Sequence, residues 1–274
     1  MATVAFGCVM ILSLLLSNPT TRLAHAIVQL DQNLVIVLNG FARRSWGFDV
    51  LVWELAYSIS VQGVMVALFW GAWFAPNDDL SASRQKRETM LASLIGLHAS
   101  AVFAIALRAA LPFRARPVLD PAIVFQAPYS PFGGGLSSNS TSLPAGHAAV
   151  FFALAVGLWS ISVTLGVLGS LQALFVICLP RIYVGLHYPT DILAGAVVAI
   201  VTVTLAKEMF RGRSLMPKVL AWSERHPAAF YGLFFLCSLD IATEFSSVRG
   251  VLRLLESAHI NKLVLLVIGV ASHA

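Results

Sequence analysis

Residues 141–159, TSLPAGHAAVFFALAVGLW, place a proline, a glycine and His147 at the start of an apolar run. A second stretch, PRIYVGLHYPTDILAGAVVAIV at 180–201, carries His187 and Asp191 just before another apolar run. Both runs approach the roughly 20 residues that a membrane-spanning helix needs. Ionisable side chains are rare in membrane helices and usually mark a function. We therefore expect the tips of these two helices to meet and to form a site.

The composition excludes a water-soluble protein. The chain has 274 residues, of which 58% are hydrophobic and 11% charged, with a mean hydropathy of +0.82. Soluble domains carry about 25% charged residues. The net charge of +5 is small and dispersed along the chain, so we expect the bilayer, and no nucleic acid, as the partner. No obligate protein partner is evident. The three cysteines lack metal-ligand spacing and predict buried thiols.

The predicted fold is all-α, a polytopic membrane helical bundle with a six-helix core and a C-terminal extension of one or two helices. A mixed segment at 26–42 predicts a helix lying in the membrane interface. The Gly- and Pro-rich residues 113–144 predict a long irregular loop, and loops of this length are usually functional or disordered. Apolar runs fall at 2–17, 48–75, 89–112, 145–161, 163–182 and 190–208, with weaker candidates at 227–243 and 259–273.

We divide the chain into three parts. Residues 1–26 form an N-terminal membrane helix and its flank, which lacks the basic start of a signal peptide although LAHA imitates a cleavage site. An uncleaved first helix is favoured over a removed signal. Residues 27–208 form the core, and 209–274 form a basic connector and the helical extension.

Basic connectors set the orientation. Residues 76–89 and 206–226 are rich in Lys and Arg, and positive loops favour the cytoplasmic side. The loop at 113–144 then faces outward. We expect an integral membrane protein, in the inner (plasma) membrane, with its site on the extracytoplasmic side.

Helix lengths predict which side chains meet. Residues 145–160 and 165–181 make antiparallel helices of about 24 and 25 Å. Their matched lengths return the end of the second helix to the level at which the first began. The run at 89–112 ends at that level in an arginine-rich segment. The predicted cluster comprises Arg116, His147, Arg181, His187 and Asp191.

These residue types suit phosphoryl transfer. Arginines hold phosphate oxygens through bidentate, permanently charged contacts. A carboxylate at Asp191 that accepts one ring N–H of His187 leaves the other nitrogen as a nucleophile. His147 can protonate a leaving alkoxide, and backbone N–H groups at Gly146 begin a helix that favours anions. The sequence holds no carboxylate cluster for a divalent metal, so we expect a metal-independent site without cofactors.

The residues at this point resemble the type 2 phosphatidic acid phosphatase (PAP2) family, whose motifs are K-x6-RP, PSGH and SR-x5-H-x3-D. The corresponding segments here are RAALPFRARP, PAGH and PRIYVGLHYPTD. The resemblance covers residues 27–208, the PAP2-like catalytic core, and implies six membrane helices. It also implies that His187 becomes phosphorylated, that Asp191 orients it, that His147 protonates the leaving group, and that Arg116 and Arg181 bind phosphate.

One departure from the family pattern removes a hydroxyl. The serine of PSGH is Ala145 here, which deletes a donor to a phosphate oxygen and leaves the backbone N–H of Gly146. Losing one hydrogen bond to a charged group costs about 1.5–3 kcal/mol. Ser142 or Thr141 could compensate.

A second departure concerns the lysine of K-x6-RP. Counted back from Arg116, that position is Ala109. Arg108 is one residue too far, but its side chain is long enough to reach; Arg114 is the other substitute. The alternatives for Arg114 are a headgroup contact or a phosphate ligand.

The expected function is hydrolysis of a lipid phosphate or diphosphate. RARPVLDP most resembles the undecaprenyl-diphosphate phosphatase branch, whereas phosphatidate, phosphatidylglycerol phosphate or a phosphorylated glycolipid are alternatives. A phosphohistidine can also pass its phosphoryl group to an acceptor other than water. The alternative from a different functional class is a non-catalytic protein that binds or transports lipid phosphates on the same scaffold.

Overall fold

The computed structural model describes residues 2–17, 19–76, 79–131, 141–243 and 245. Over these residues the protein is helical and has no strand, which confirms the predicted all-α bundle. The weak apolar run at 259–273 lies outside the described residues. The helices are α1 (Ala2–Ser17), α2 (Arg22–Asn39), α3 (Trp46–Tyr57), α4 (Ile59–Phe74), α5 (Leu80–Ala110), α6 (Gly146–Trp159), α7 (Val163–Tyr183), α8 (Pro189–Phe210), α9 (Leu215–Arg225) and α10 (Pro227–Ala242).

Three of the described helices, α5, α7 and α8, are long and apolar enough to cross a membrane. Helices α3 and α4 meet at a bend of 50° and become a fourth span if counted together. Two further apolar helices, α6 and α10, are shorter. These helices make the chain an integral membrane protein. The single run predicted at 48–75 is therefore divided, because Ser58 between its halves adopts an extended backbone with ψ of 122°.

Glycines bring α5, α6 and α8 into close contact. A β-carbon added to Gly96 of α5 would lie 2.5 Å from the Val203 Cα atom of α8. One added to Gly195 of α8 would lie 2.5 Å from the carbonyl oxygen of Ala145, the residue before α6. Small residues at helix crossings let backbones approach closely in membrane proteins. The start of α6 is thereby held against the first turns of α8.

Helix α2 occupies the segment that predicted an interfacial helix, and its buried face anchors the long loop. The Asn39 side chain donates to the Gln126 carbonyl oxygen at 2.8 Å and accepts from the Gln126 N–H at 2.8 Å. A buried Asp49 in α3 accepts from the Tyr129 N–H at 2.9 Å and from the Tyr183 hydroxyl. The described part of the loop is thus fixed over the end of α2 and the start of α3, next to the end of α7.

The middle part of α7 is wound as a π-helix over Gln172–Cys178. Such π segments are rare, and they occur often at functional sites. This one ends immediately before the turn that carries Arg181.

Candidate active site

The structure brings the two histidine-bearing stretches into contact. The Ala145 N–H donates to the Asp191 carbonyl oxygen at 3.0 Å, and the His187 Nδ1 atom lies 2.9 Å from the Ser142 carbonyl oxygen. The segment before α6 is therefore bonded directly to the turn that starts α8. Helix rise and alternation were sufficient to predict this meeting.

His187 is buried, with 3% of its surface exposed. The Ser142 carbonyl can only accept a hydrogen bond, so Nδ1 carries the proton and the lone pair is on Nε2. The Asp191 Oδ2 atom lies 3.7 Å from Nδ1, beyond hydrogen-bond length but close enough for its charge to act. The ring is thus oriented by the Ser142 carbonyl as well as by Asp191, on which the sequence prediction relied alone.

Burial lowers the pKa of His187 from 6.5 to about 4. The charge of Asp191 opposes this shift, while the positive charges of Arg108 and Arg116 add to it. The imidazole is therefore neutral at pH 7, as a nucleophile must be.

This pKa predicts the pH dependence of the site. We expect kcat/KM, corrected for the ionisation of the substrate itself, to fall on the acid side only below about pH 5. An acid limb centred near pH 6.5 would contradict the burial argument. Since the folded-state pKa lies below the unfolded value, the shift also contributes stability that is present above pH 6.5 and is lost as the pH falls through about 4. Thermal unfolding in detergent between pH 3.5 and 8 measures the second effect.

Arg108 reaches the PAGH turn although it is one position away from the lysine of the family motif. Its Nε atom donates to the Pro144 carbonyl oxygen at 2.9 Å. A β-carbon on Gly146 would lie 2.8 Å from the Arg108 Nη2 atom, so the guanidinium packs directly against this glycine. Arg108 therefore supplies a positive charge at the N-terminus of α6, which is itself a favourable place for an anion.

Two further arginines approach from the loop and from α7. Arg116 is half-buried and interacts electrostatically with His187 and Tyr57. Arg181 is buried, and its guanidinium carbon lies 5.9 Å from the centre of the Tyr57 ring. In the amide orientation that satisfies both its polar atoms, Gln62 accepts from Arg181 Nη2 at 3.1 Å and donates to the Ala242 carbonyl at 2.8 Å. Tyr57 and Gln62 are neighbours of the site that the sequence analysis missed.

His147 is the second residue of α6 and is half-buried. Its ring centre lies 6.4 Å from that of Phe151, one turn along the helix. The imidazole thus belongs to the same helix start as Gly146, against which Arg108 packs.

Arg114 has a scaffold role that the sequence analysis did not predict. It is 8% exposed, and its two terminal nitrogens pair with Asp31 at 2.7 Å and with Asp191 at 2.6 Å. The guanidinium also lies 4.1 Å from the Tyr188 ring centre and donates to Thr190 at 2.9 Å. A cation paired with two carboxylates is neither a headgroup contact nor the substitute for the missing lysine. The sequence contains one indication of this pairing, since Asp31 is an acidic residue within the mostly apolar helix α2.

No group of three or more His, Cys, Asp or Glu side chains within the described residues is arranged to hold a metal ion. The acidic side chains near His187 are engaged with Arg114 and with the backbone.

Comparison with protein-family models gives one match. Residues 88–214 match the model of the PAP2 superfamily. Comparison with curated proteins and with solved structures gave no significant match. The matched region includes every residue proposed for the site: Arg108, Arg116, Gly146, His147, Arg181, His187 and Asp191. The family predicted from three short motifs is therefore confirmed. Residues 88–214 thus form a region that matches the PAP2 superfamily, as the three motifs indicated.

Proposed function

We propose that the protein hydrolyses the phosphate or diphosphate of a membrane lipid through a phosphohistidine at His187. The match to the PAP2 superfamily supports a phosphatase-type function on lipid phosphates at the level of the family. The proposal of a phosphohistidine mechanism depends on one observation: the imidazole of His187 is buried and neutral, and it is influenced by the positive charges of Arg108 and Arg116. A neutral nucleophile with adjacent cations is what a phosphate dianion requires.

In the first step, the Nε2 lone pair of His187 attacks phosphorus. The N–P bond forms while the bond from phosphorus to the leaving oxygen breaks, and His147 gives its proton to that oxygen. The leaving group is the lipid alkoxide of a monophosphate or the lipid monophosphate of a diphosphate. Arg108, Arg116, Arg181 and the Gly146 N–H neutralise the charge on the phosphoryl oxygens. In the second step, water attacks phosphorus, the N–P bond breaks, and His147 takes the proton from the water. Inorganic phosphate leaves and His187 is regenerated.

An apolar groove near the α3–α4 bend suits the lipid chain. An open apolar groove of about 510 Å³ lies between the α3–α4 bend and the π segment of α7. Leu55 lines this groove, and two residues further on Tyr57 interacts with Arg116 and Arg181. A lipid with its phosphate at the arginines can therefore extend its chain between the helices. The groove is lined by Leu55, Val61, Val64, Leu171, Gln172, Phe175 and Val176.

Undecaprenyl diphosphate is the proposed first substrate because RARPVLDP resembles that branch of the family. We place the protein in the inner (plasma) membrane with this site on the extracytoplasmic side, since the connectors at 76–89 and 206–226 are basic. We propose residues 27–208 as the catalytic core, flanked by the N-terminal helix and the C-terminal extension.

The missing hydroxyl at Ala145 favours one other class, a protein that binds or transports lipid phosphates without cleaving them. Transfer of the phosphoryl group to an acceptor other than water is a variant of the same chemistry.

Phosphate release from purified protein in detergent tests the function. We expect release from undecaprenyl diphosphate, phosphatidate or phosphatidylglycerol phosphate in the presence of EDTA, and inhibition by orthovanadate, which copies the five-coordinate phosphorus. Binding of these lipids without release, even by the Ala145→Ser variant, would instead establish the non-catalytic class. Phosphorus NMR of reactions with added glycerol separates inorganic phosphate from a transferred phosphoryl group.

A further inference from the structure

Ser142 has a buried hydroxyl that no described residue satisfies. The residue is 0% exposed, and its Oγ atom has no hydrogen-bond partner among the residues that the structure describes. A buried polar group left without a partner costs about 1–3 kcal/mol. Such groups are uncommon in native structures, and each requires an explanation.

The position of Ser142 points to the phosphate site. Its carbonyl oxygen accepts from the His187 Nδ1 atom at 2.9 Å, and its N–H donates to the Arg114 carbonyl oxygen at 3.0 Å. Both backbone polar groups are thus engaged, and only the hydroxyl is left. His187 itself is 3% exposed, so the hydroxyl and the nucleophile are enclosed in the same part of the protein.

The neighbouring candidates are excluded by their own contacts. The Thr141 hydroxyl accepts from the Arg114 N–H at 3.0 Å and supports the scaffold. Ala145, where the family motif has serine, carries no hydroxyl and makes no side-chain cap for α6. Of the three residues, only Ser142 has a hydroxyl without a partner.

Building on the proposed function, we infer that the Ser142 hydroxyl is a phosphate ligand: it donates a hydrogen bond to a phosphoryl oxygen of the lipid headgroup and replaces the serine lost at position 145. The same residue then orients His187 through its carbonyl and holds the anion through its side chain. A hydroxyl rotates freely about its Cβ–Oγ bond, so it can turn to the anion when the substrate enters.

The test compares Ser142→Ala with Ser100→Ala. Ser100 is also fully buried, but its hydroxyl donates to the Ala149 carbonyl oxygen at 2.8 Å. We expect Ser142→Ala to lower kcat/KM and orthovanadate affinity roughly 10- to 100-fold, the loss of one hydrogen bond to a charged group. Its melting temperature should stay the same or rise, because an unsatisfied group is removed. Ser100→Ala should do the reverse, lowering the melting temperature and leaving kcat/KM unchanged.

Two more variants complete the design. Ala145→Ser in the Ser142→Ala background should restore most of the lost activity, since it returns a hydroxyl to the family position. Ser142→Cys keeps a side chain of similar volume but carries only a weak hydrogen-bond donor. It should lose activity as the alanine variant does, and it serves as the test if Ser142→Ala folds poorly.

Activity and orthovanadate affinity that are unchanged in both Ser142 variants would overturn the inference while leaving the phosphatase in place. A wild-type protein that releases no phosphate from any lipid would instead overturn the proposed function. In that case orthovanadate binding, measured as a thermal shift, still decides whether Ser142 holds an anion.

Discussion

Replacing His187 by alanine should reduce phosphate release by at least about 10³-fold, because the attacking nitrogen is lost and the arginines and bound water supply only residual catalysis. The measurement is release of inorganic phosphate from the best lipid substrate in EDTA. The affinity for the lipid substrate should fall much less than the rate, since Arg108 and Arg116 remain. A loss of this size, confined to the rate, is expected of a nucleophile and of no supporting residue.

Two controls separate chemistry from folding. His187→Gln retains an N–H for the Ser142 carbonyl, so it should fold like the wild type and be as inactive as the alanine variant. His25 in α2 is exposed, and His25→Ala should keep full activity. Rapid acid-free quenching of the wild type should trap a phosphorylated histidine that is absent from both His187 variants. Turnover by His187→Ala at more than one tenth of the wild-type rate would show that another group attacks phosphorus.

The sequence predicted that the two histidine-bearing stretches meet, but it did not predict the contacts that hold them together. Spacing predicted the meeting: Arg181, His187 and Asp191 lie close together in the chain, and the matched lengths of two helices bring His147 to the same level. Both arguments depend on local geometry, which a single sequence carries. The family match over 88–214 agrees with them.

Long-range pairing was not predictable in the same way. Nothing in the spacing of Arg114 shows that its partners are Asp31, 83 residues away, and Asp191, 77 residues away. The contact of the Arg108 guanidinium with Gly146 in the PAGH turn is visible only in three dimensions. The break at Ser58 is likewise hidden, because the two helices together still read as one apolar span and no proline or glycine adjoins Ser58.

Arg114 and Arg116 are two residues apart and are expected to behave in opposite ways. Arg114→Met leaves the carboxylates of Asp31 and Asp191 buried without their cation, and breaking a buried pair in this way costs about 3–5 kcal/mol. We expect a large fall in melting temperature in detergent, or failure to fold, and loss of activity as a consequence. Arg116→Met should leave the melting temperature unchanged and lower kcat/KM by roughly 10- to 100-fold through the lost phosphate contact.

A second substitution distinguishes the scaffold role from a phosphate contact. Asp31→Asn removes one of the two carboxylates that Arg114 neutralises, and the burial of Asp31 already raises its pKa. Combined with Arg114→Met, it should therefore recover part of the lost melting temperature, because one buried negative charge disappears with the cation. If Arg114 instead held the substrate, the double variant would be no more stable than Arg114→Met alone, and the single variant would melt like the wild type. Stability, more than turnover, is thus the property that separates the two arginines.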